Sequence, residues 1–413
     1  YKGLKPVYWC SSCETALAEA EVEYQDKESP SIYVRFQVKN GQGILPEDSA
    51  LVIWTTTPWT LVSNMAVCLH PEYYYISLQT EKGILVVAEE LAESFLSAVG
   101  LEQATILNKY LGKELEGVIC SHPFIDRESQ VILGDHVTLE AGTGCVHTAP
   151  GHGHEDYLAS LKYNLEILSP VDAKGVFTEE AGEFAGLYYL EANEKVLAVL
   201  TEKAALLQSG KIKHQYPHCW RCKKPVFFQA TEQWFAPVDG FRQKASQSIA
   251  NEVQWIPAWG KDRIYNMIAN RGDWCVSRQR TWGVPIPIFY CQDCNKPLIT
   301  PETIAKLQEI FRQEGSDAWF AHEAAELLPQ GIKCECGCSQ FSKETDTMDV
   351  WFDSGTSHVG VLQNPELWPD LSYPADLYLE GSDQHRGWFN SSLSTAVAIT
   401  GKAPYKAVLT HGF

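Results

Sequence analysis

The sequence predicts a multidomain protein of mixed α/β and β class, and three observations carry that reading. Two Cys-x-x-Cys turns, Cys10 to Cys13 and Cys219 to Cys222, stand far apart in the chain. Between them the pattern is mostly that of strands, which suggests a β-barrel-like domain. Beyond the second turn helices and strands alternate, which implies a parallel sheet covered on its faces.

A chain of 413 residues has room for two or three domains, and 45% hydrophobic with 21% charged residues is the balance of a soluble globular protein. No apolar run approaches the length of a bilayer, and no basic-then-apolar leader opens the chain. A cytoplasmic protein with no membrane partner is expected. The chain opens on Tyr1 and closes on Phe413 just after a strand, so an excised piece of a longer protein is also expected. The net charge of −19, from 33 basic and 52 acidic side chains, repels nucleic acid on average. Such a partner needs a local basic surface, for which Lys211, Lys213, Arg221, Lys223 and Lys224 are the candidates; the alternative is that they offset nearby thiolates. Thirteen cysteines are too sparse here for a disulfide scaffold, and their paired spacing argues for metal.

In chain order, the first element is the turn at Cys10 and Cys13, whose mate is Cys219 and Cys222. Four thiolates give zinc a closed tetrahedral set, clasping the base of everything between. The alternation Ile32, Val34, Phe36, Val38 and the run Ile84 to Ala88 read as strands, as does Leu51 to Ile53, which Pro58 forbids from continuing. That strand delivers Trp54-Thr55-Thr56-Thr57-Pro58-Trp59-Thr60-Leu61. Three hydroxyls leave the sheet together, each able to donate and accept, and can grip a polar ester and a water without carrying charge. The plainer reading is a Thr-rich edge strand. A helix is predicted over Leu91 to Val99, and a longer one with Val196, Leu197, Leu200, Ala204 and Leu207 on one face before Gly210. Gly142 to Tyr157 reads Gly-Thr-Gly-Cys-Val-His-Thr-Ala-Pro-Gly-His-Gly-His-Glu-Asp-Tyr, where glycine lets backbone approach a ligand. It ends in Glu155 and Asp156, ahead of a helical pattern at Leu158, Leu161 and Tyr163. Domain boundaries are drawn near Val22 and Lys213.

In the second half a helix over Arg263 to Asn270 leads to a strand at Trp274 to Val276, which delivers Ser277 to Arg280. A strand over Asp376 to Leu379 ends in Glu380-Gly381-Ser382-Asp383-Gln384-His385-Arg386-Gly387-Trp388, followed by a helix that stops at Gly401. Ala407 to Leu409 delivers Thr410, His411 and Gly412. Open α/β sheets bind ligands beyond the carboxyl ends of their strands, so these three ends outline a pocket. Each polar residue taken singly also reads as a helix cap or a loop solubiliser. Cys291 and Cys294 form a further turn, with Cys334, Cys336 and Cys338 as three partners for two places. Thr300 caps and Pro301 starts a helix with Ile304, Leu307, Ile310 and Phe311 on one face, ending at Gly315.

The stretches Trp54 to Leu61, Gly142 to Tyr157 and Glu380 to Trp388 together closely resemble the isoleucyl-tRNA synthetases, class I aminoacyl-tRNA synthetases of bacterial type. The relatives for valine and leucine usually carry Arg where this chain has Thr57, which favours isoleucine. The resemblance implies an editing domain at 23–212 inserted into a Rossmann-like catalytic domain, with a zinc-ribbon module split between 1–22 and 213–240. It implies a partial catalytic domain at 241–413 with a zinc-binding insertion near 291–340, for which it favours Cys334 and Cys336. The activity implied is ATP- and Mg-dependent ligation of isoleucine to its tRNA by a monomer, with hydrolysis of mischarged valyl-tRNA. Thr55, Thr56, Thr57, Asn64, His147 and Asp156 would form the hydrolytic site. Asp156 would anchor the α-ammonium of valine, the threonines would place water and ester, and His147 would keep isoleucine out. Glu380, Gly381, Asp383 and Gln384 would hold the aminoacyl-adenylate, with His411 near the adenine. Trp351 and Trp388 would wall the isoleucine side chain, although tryptophan in the run Val350-Trp351-Phe352 also reads as plain core.

No Ser or Cys has a paired base at a recognisable spacing, so no covalent nucleophile is expected. The family's His-x-Gly-His and Lys-Met-Ser-Lys-Ser motifs for ATP do not occur in the sequence. This piece is therefore expected to edit and not to activate. The rival readings are a catalytic metal on His147, His152, His154 and Asp156, a free-standing editing hydrolase, a valyl-tRNA synthetase relative, and a non-catalytic zinc-ribbon protein that binds RNA.

Overall fold

A computed structural model describes residues 1–413 and divides the chain into two compact units. One comprises Leu4–Glu14 with Glu21–Glu232, the other Tyr1–Gly3, Thr15–Ala20 and Gln233–Phe413. No helix is long and apolar enough to cross a membrane.

The unit ending at Glu232 is built on one large sheet. Its strands are β1 (Val22–Asn40), β2 (Ser49–Thr55), β3 (Ala66–Leu69), β4 (Tyr74–Thr80), β5 (Gly83–Ala88), β6 (Thr105–Leu111), β7 (Ile119–Ser121), β8 (Glu128–Leu133), β9 (Cys145–Thr148) and β10 (Leu206–Cys219). They lie in the order β9-β3-β8-β7-β1-β2-β5-β4-β6, with β10 paired to β1. The sheet curls toward closure: Ala88 at the end of β5 donates its N–H to Thr143 O, just ahead of β9, at 2.8 Å. The alternation read in β1 is realised, since Ile32, Val34, Phe36 and Val38 are all buried. One face is covered by α1 (Ala92–Val99), whose Phe95 and Val99 pack on Ala50, Val52, Ile76, Leu78, Leu85 and Val87. Burial of each such side chain contributes about 1.5–3 kcal/mol.

In α2 (His154–Tyr163) the buried residues are Tyr157, Ala159 and Ser160, while Leu158 and Leu161 face solvent. The helix α3 (Ala192–Glu202) is shorter than its apolar periodicity predicts. Ala204 adopts φ +52°, and from Leu206 the chain is β10, so Leu207 and Gly210 are strand residues. The ladder of β10 on β1, from Leu206 opposite Val34 to Cys219 opposite Val22, overrides helical spacing because it satisfies backbone groups that a longer helix would leave beside an unpaired strand. The ladder runs through Lys213, which lies opposite Glu28. Lys211 pairs with Glu28 at 2.7 Å and Lys223 with Glu23 at 2.6 Å, so these cations are balanced by carboxylates of the facing strand.

The other unit holds a three-stranded parallel sheet: β11 (Gln254–Ile256), β12 (Tyr378–Gly381) and β13 (Ala407–His411), in the order β11-β13-β12. Around it pack α4 (Asp239–Asn251), α5 (Trp259–Ala269) and α8 (Trp388–Thr400), through Phe241, Ala245, Ile264, Ile268, Phe389 and Leu393. A satellite core forms under α6 (Pro301–Glu314), where Leu307 meets Phe289, Trp319 and Phe341. The predicted cap is present: Thr303 N donates to Thr300 Oγ1 at 3.2 Å, and Gly315 ends the helix. The remaining helix near the sheet is α7 (Val350–Gly355).

One expectation is corrected. The strand at Trp274–Cys275 does not belong to the parallel sheet; it pairs antiparallel with Phe235 and Ala236, and the third carboxyl end is that of β11. Ser277 and Arg278, which follow it, are structural. Ser277 Oγ bonds Gln233 Oε1 at 2.6 Å, and the buried Arg278 meets the buried Asp349 at 3.0 Å, which also accepts from Trp274 Nε1 at 2.7 Å. A buried charge persists only when paired, so these groups look inward.

Candidate functional site

β2 carries Thr55 to the end of its pairing, opposite Ile32. Pro58 then opens a 3-10 turn over Pro58–Ser63, since it has no N–H for a ladder and presets φ for the turn. The threonines are thereby folded onto one another. Thr57 N donates to Thr55 Oγ1 at 3.1 Å, and the Thr57 hydroxyl lies 3.3 Å from those of Thr55 and Thr60. Thr60 Oγ1 donates to Thr57 O at 2.8 Å and meets His147 Nε2, on β9, at 2.9 Å. The other ring nitrogen of His147 lies 3.3 Å from Asn64 Nδ2. Thr55, Thr57, Asn64 and His147 are thus joined in one chain of hydrogen bonds. The Thr56 hydroxyl is half-buried and makes no hydrogen bond within the protein, which leaves it free for a ligand.

Asp156 stands apart from that chain. Its Oδ2 accepts from Ala149 N at 2.8 Å, two residues beyond His147 on the same segment, and no hydrogen bond links it to the threonines. A Cβ on Gly153 would lie 3.0 Å from that oxygen, and one on Gly151 would lie 2.2 Å from Leu168 O, so the glycines permit the tight path. Burial pushes the Asp156 carboxyl up to about 6, opposed by the Ala149 hydrogen bond and assisted by Glu155. Burial, with His122 and His152 nearby, pushes His147 down to about 3, and burial pushes His152 down to about 4. Both imidazoles are neutral near pH 7.

His152 contacts Phe228 O at 2.9 Å and Ser63 Oγ at 3.1 Å. With both ring nitrogens of His147 and His152 engaged by protein groups, neither presents a free lone pair to an ion, and the rival metal reading loses two of its four donors. Two residues of the chain escaped sequence reading. Thr60 sits one 3-10 turn after Thr57, a spacing that marks it in retrospect. Ser129, whose hydroxyl reaches Asn64 Oδ1 at 2.5 Å, is remote in sequence and carries no local signal.

In the other unit, the carboxyl ends of β12 and β13 lie side by side, with Glu380 opposite Thr410 and Gly381 opposite His411. Glu380 and His411 are exposed there. Gln384 Oε1 accepts from Trp388 N at 2.8 Å and its Nε2 donates to Asp383 Oδ2 at 3.0 Å. Trp388 stacks on Tyr378 at 4.0 Å and donates from Nε1 to Ser354 O at 3.1 Å. A Cβ on Gly387 would lie 2.6 Å from Gln384 Oε1 and 2.7 Å from the Trp351 ring, so Gln384, Trp351 and Trp388 meet around that glycine.

The cysteines assemble as two sets. The sulfurs of Cys10, Cys13, Cys219 and Cys222 lie within 4.8 Å of one another, as do those of Cys291, Cys294, Cys334 and Cys336. The pairs Cys10–Cys222, Cys291–Cys336 and Cys294–Cys334 are each 3.5 Å apart. A tetrahedral zinc with Zn–S near 2.3 Å needs sulfur–sulfur edges of about 3.8 Å, so both donor sets fit. The hydrogen bond from Cys10 holds the Cys219 thiol down at about 4, while that same bond and burial hold Cys10 well above its ordinary range. One thiolate is preferred and the next is penalised, an imbalance that a cation relieves. Cys338 lies outside the set and accepts from Gln340 N at 3.3 Å.

The family model described as tRNA synthetases class I (I, L, M and V) matches residues 1–413. The isoleucine–tRNA ligase of Desulforamulus reducens is 66% identical over 100% of this chain and 45% of its own length. Those of Carboxydothermus hydrogenoformans and Desulfitobacterium hafniense are each 64% identical over 100% of this chain and 44% of their own. The chain therefore spans less than half the length of these curated relatives. A solved structure titled "The crystal structure of GlLeuRS-CP1" is similar at 14% identity with a TM-score of 0.36, covering 44% of this chain and 98% of that one. From its first residue to its last, the chain belongs to the class I tRNA synthetases of the isoleucine, leucine, methionine and valine group.

Proposed function

We propose that this chain is the section of an isoleucine–tRNA ligase that hydrolyses valine wrongly esterified to the tRNA for isoleucine, together with part of the site for the aminoacyl-adenylate. The single observation that carries the reading is the chain of hydrogen bonds from the threonines to a neutral His147, in a sequence 66% identical to such a ligase. Isoleucine and valine differ by one methylene, from which a pocket extracts only about 1–3 kcal/mol, a magnitude long known for this very pair of substrates and not taken from the structure. A ligase that must do better needs a second site.

Near pH 7.5 Asp156 is mostly ionised and receives the α-ammonium of valine, whose charge lowers its pKa further. The free Thr56 hydroxyl donates to the ester, and Thr57 holds the attacking water. His147, neutral and held at both nitrogens, serves as a wall against the larger isoleucine side chain and not as a base. The nucleophile is water, because neither Thr56 nor Thr57 has an imidazole lone pair within reach to take its proton.

In the other unit Glu380, Gly381, Asp383 and Gln384 hold the adenylate, His411 lies by the adenine, and Trp351 with Trp388 receives the isoleucine side chain. The ATP, magnesium, isoleucine and tRNA of ligation are substrates and partners of the whole enzyme. Each cysteine set would hold one zinc ion through its four thiolates, and the ion would supply cross-linking of the chain. The test is deacylation of valyl-tRNA for isoleucine by the purified chain, with and without Asp156→Ala, beside isoleucine-dependent pyrophosphate exchange. Hydrolysis that disappears in the variant, with no exchange in either, is expected. Hydrolysis indifferent to Asp156 refutes the site, and measurable exchange refutes the division of labour.

A further inference from the structure

Within the hydrolytic reading, the direction of each hydrogen bond behind the threonines is set from one end. Asn64 is fully buried, and its Nδ2 lies 2.9 Å from Ala66 O, an acceptor with no proton to give. The amide must therefore present nitrogen to Ala66. Its oxygen then faces the buried hydroxyl of Ser129 on β8, which donates to it. The second Nδ2 proton goes to His147 Nδ1, so that nitrogen is an acceptor and the neutral ring carries its proton on Nε2. Nε2–H donates to Thr60 Oγ1, whose own proton is committed to Thr57 O. The Thr57 hydroxyl has two inward acceptors, Thr60 Oγ1 and Thr55 Oγ1, each at 3.3 Å, and with its proton turned inward to either a lone pair is left to accept from a ligand. Arg127 adds a brace, its guanidinium donating to Val62 O at 3.2 Å and Asn64 O at 2.9 Å.

We infer that Ser129 is a positioning residue: as the second anchor of the Asn64 amide beside Ala66 O, it helps hold His147 as the Nε2–H tautomer and so braces Thr60, the inward partner of the Thr57 hydroxyl that leaves Thr57 an acceptor for the hydrolytic water. Rotating the amide in the unaltered chain gives up both the Ala66 and the Ser129 anchors. Without the Ser129 hydroxyl, rotation gives up only Ala66 and finds the amide oxygen a new donor, provided that the His147 proton moves to Nδ1. Removing one hydroxyl therefore narrows the gap between the two tautomers, with the Ala66 bond still on the side of Nε2–H, although Ser129 touches neither substrate nor water.

The inference rests on the hydrolytic reading only for its consequence, and the experiment separates the two. NMR of the 15N-histidine-labelled chain, with His147 assigned by its loss in His147→Gln, reports the tautomer without any substrate. Deacylation of valyl-tRNA reports the consequence. In the unaltered chain Nδ1 of His147 resonates in the unprotonated range. In Ser129→Ala it shifts toward the protonated range and deacylation per folded molecule falls about tenfold, the worth of one oriented hydrogen bond; Ser129→Thr restores both. Asn64→Asp, which offers His147 only an acceptor, moves the proton to Nδ1 and serves if Ser129→Ala does not fold. An Nδ1–H tautomer in the unaltered chain overturns the inference. So does a Ser129→Ala chain that loses stability but keeps tautomer and rate. A tautomer that responds as stated in a chain with no deacylation supports the positioning and refutes the hydrolytic reading instead.

Discussion

Asp156→Asn is expected to make the protein more stable and inactive in hydrolysis, and the structure supplies the size of the effect. Burial raises the carboxyl from an ordinary 3.8 to about 6, so the folded state disfavours its charge by about 3 kcal/mol at full weight. The side chain keeps some contact with solvent, which reduces this to about 1–2 kcal/mol. The sign follows from linkage: a carboxyl whose folded pKa is raised binds its proton more tightly when folded. Its penalty is absent below about 3.8, grows as pH rises to about 6, and is complete above it. Asparagine carries no charge, and its side-chain oxygen still accepts from Ala149 N, as Asp156 does at 2.8 Å. Urea denaturation at pH 7.5 should place the variant about 1–2 kcal/mol above the parent, and at pH 3.5 the two should agree. Valyl-tRNA hydrolysis should vanish in the variant, and in the parent should rise with pH through about 6. A variant less stable than the parent at pH 7.5 would refute the claim that this carboxylate is held at a cost for a ligand.

Three further outcomes follow from packing and donor geometry. Metal analysis should find two zinc ions per chain, falling to one in Cys219→Ser or Cys294→Ser and staying at two in Cys338→Ser. Phe95→Ala empties the space between α1 and the sheet and should cost about 3–5 kcal/mol in denaturation, with no change in deacylation per folded molecule. Arg278→Ala strands the buried Asp349 charge and should cost about 3–5 kcal/mol, whereas a residue lining a pocket by the parallel sheet would be lost with little change in stability.

Much of the molecule is legible residue by residue. Thr300 and Pro301 announce the start of α6, Gly401 in the left-handed region stops α8, and the alternation of β1 appears as its buried face. These signals are local: a cap, a φ preference or a side-chain period acts within a turn or two of itself. The threonine stretch, the glycine-laced loop and the cysteine turns are legible for the same reason, since their chemistry is carried by neighbours in sequence.

What sequence reading missed was decided by partners far along the chain. Ala204 and Leu207 have helical spacing but lie beyond the helix, because β1 offers the segment from Leu206 a long ladder. Trp274 and Cys275 form a strand of the expected kind in an unexpected sheet, because Phe235 and Ala236 hold their backbone groups. His147 is one histidine among twelve until the fold sets Thr60 against one ring nitrogen and Asn64 against the other, with Ser129 behind. The amino-acid sequence determined which chemical groups the candidate site holds and which turns present them. The tertiary structure alone decided their burial and their hydrogen-bond partners, because groups remote in sequence close around each of them and set the energy of its charge.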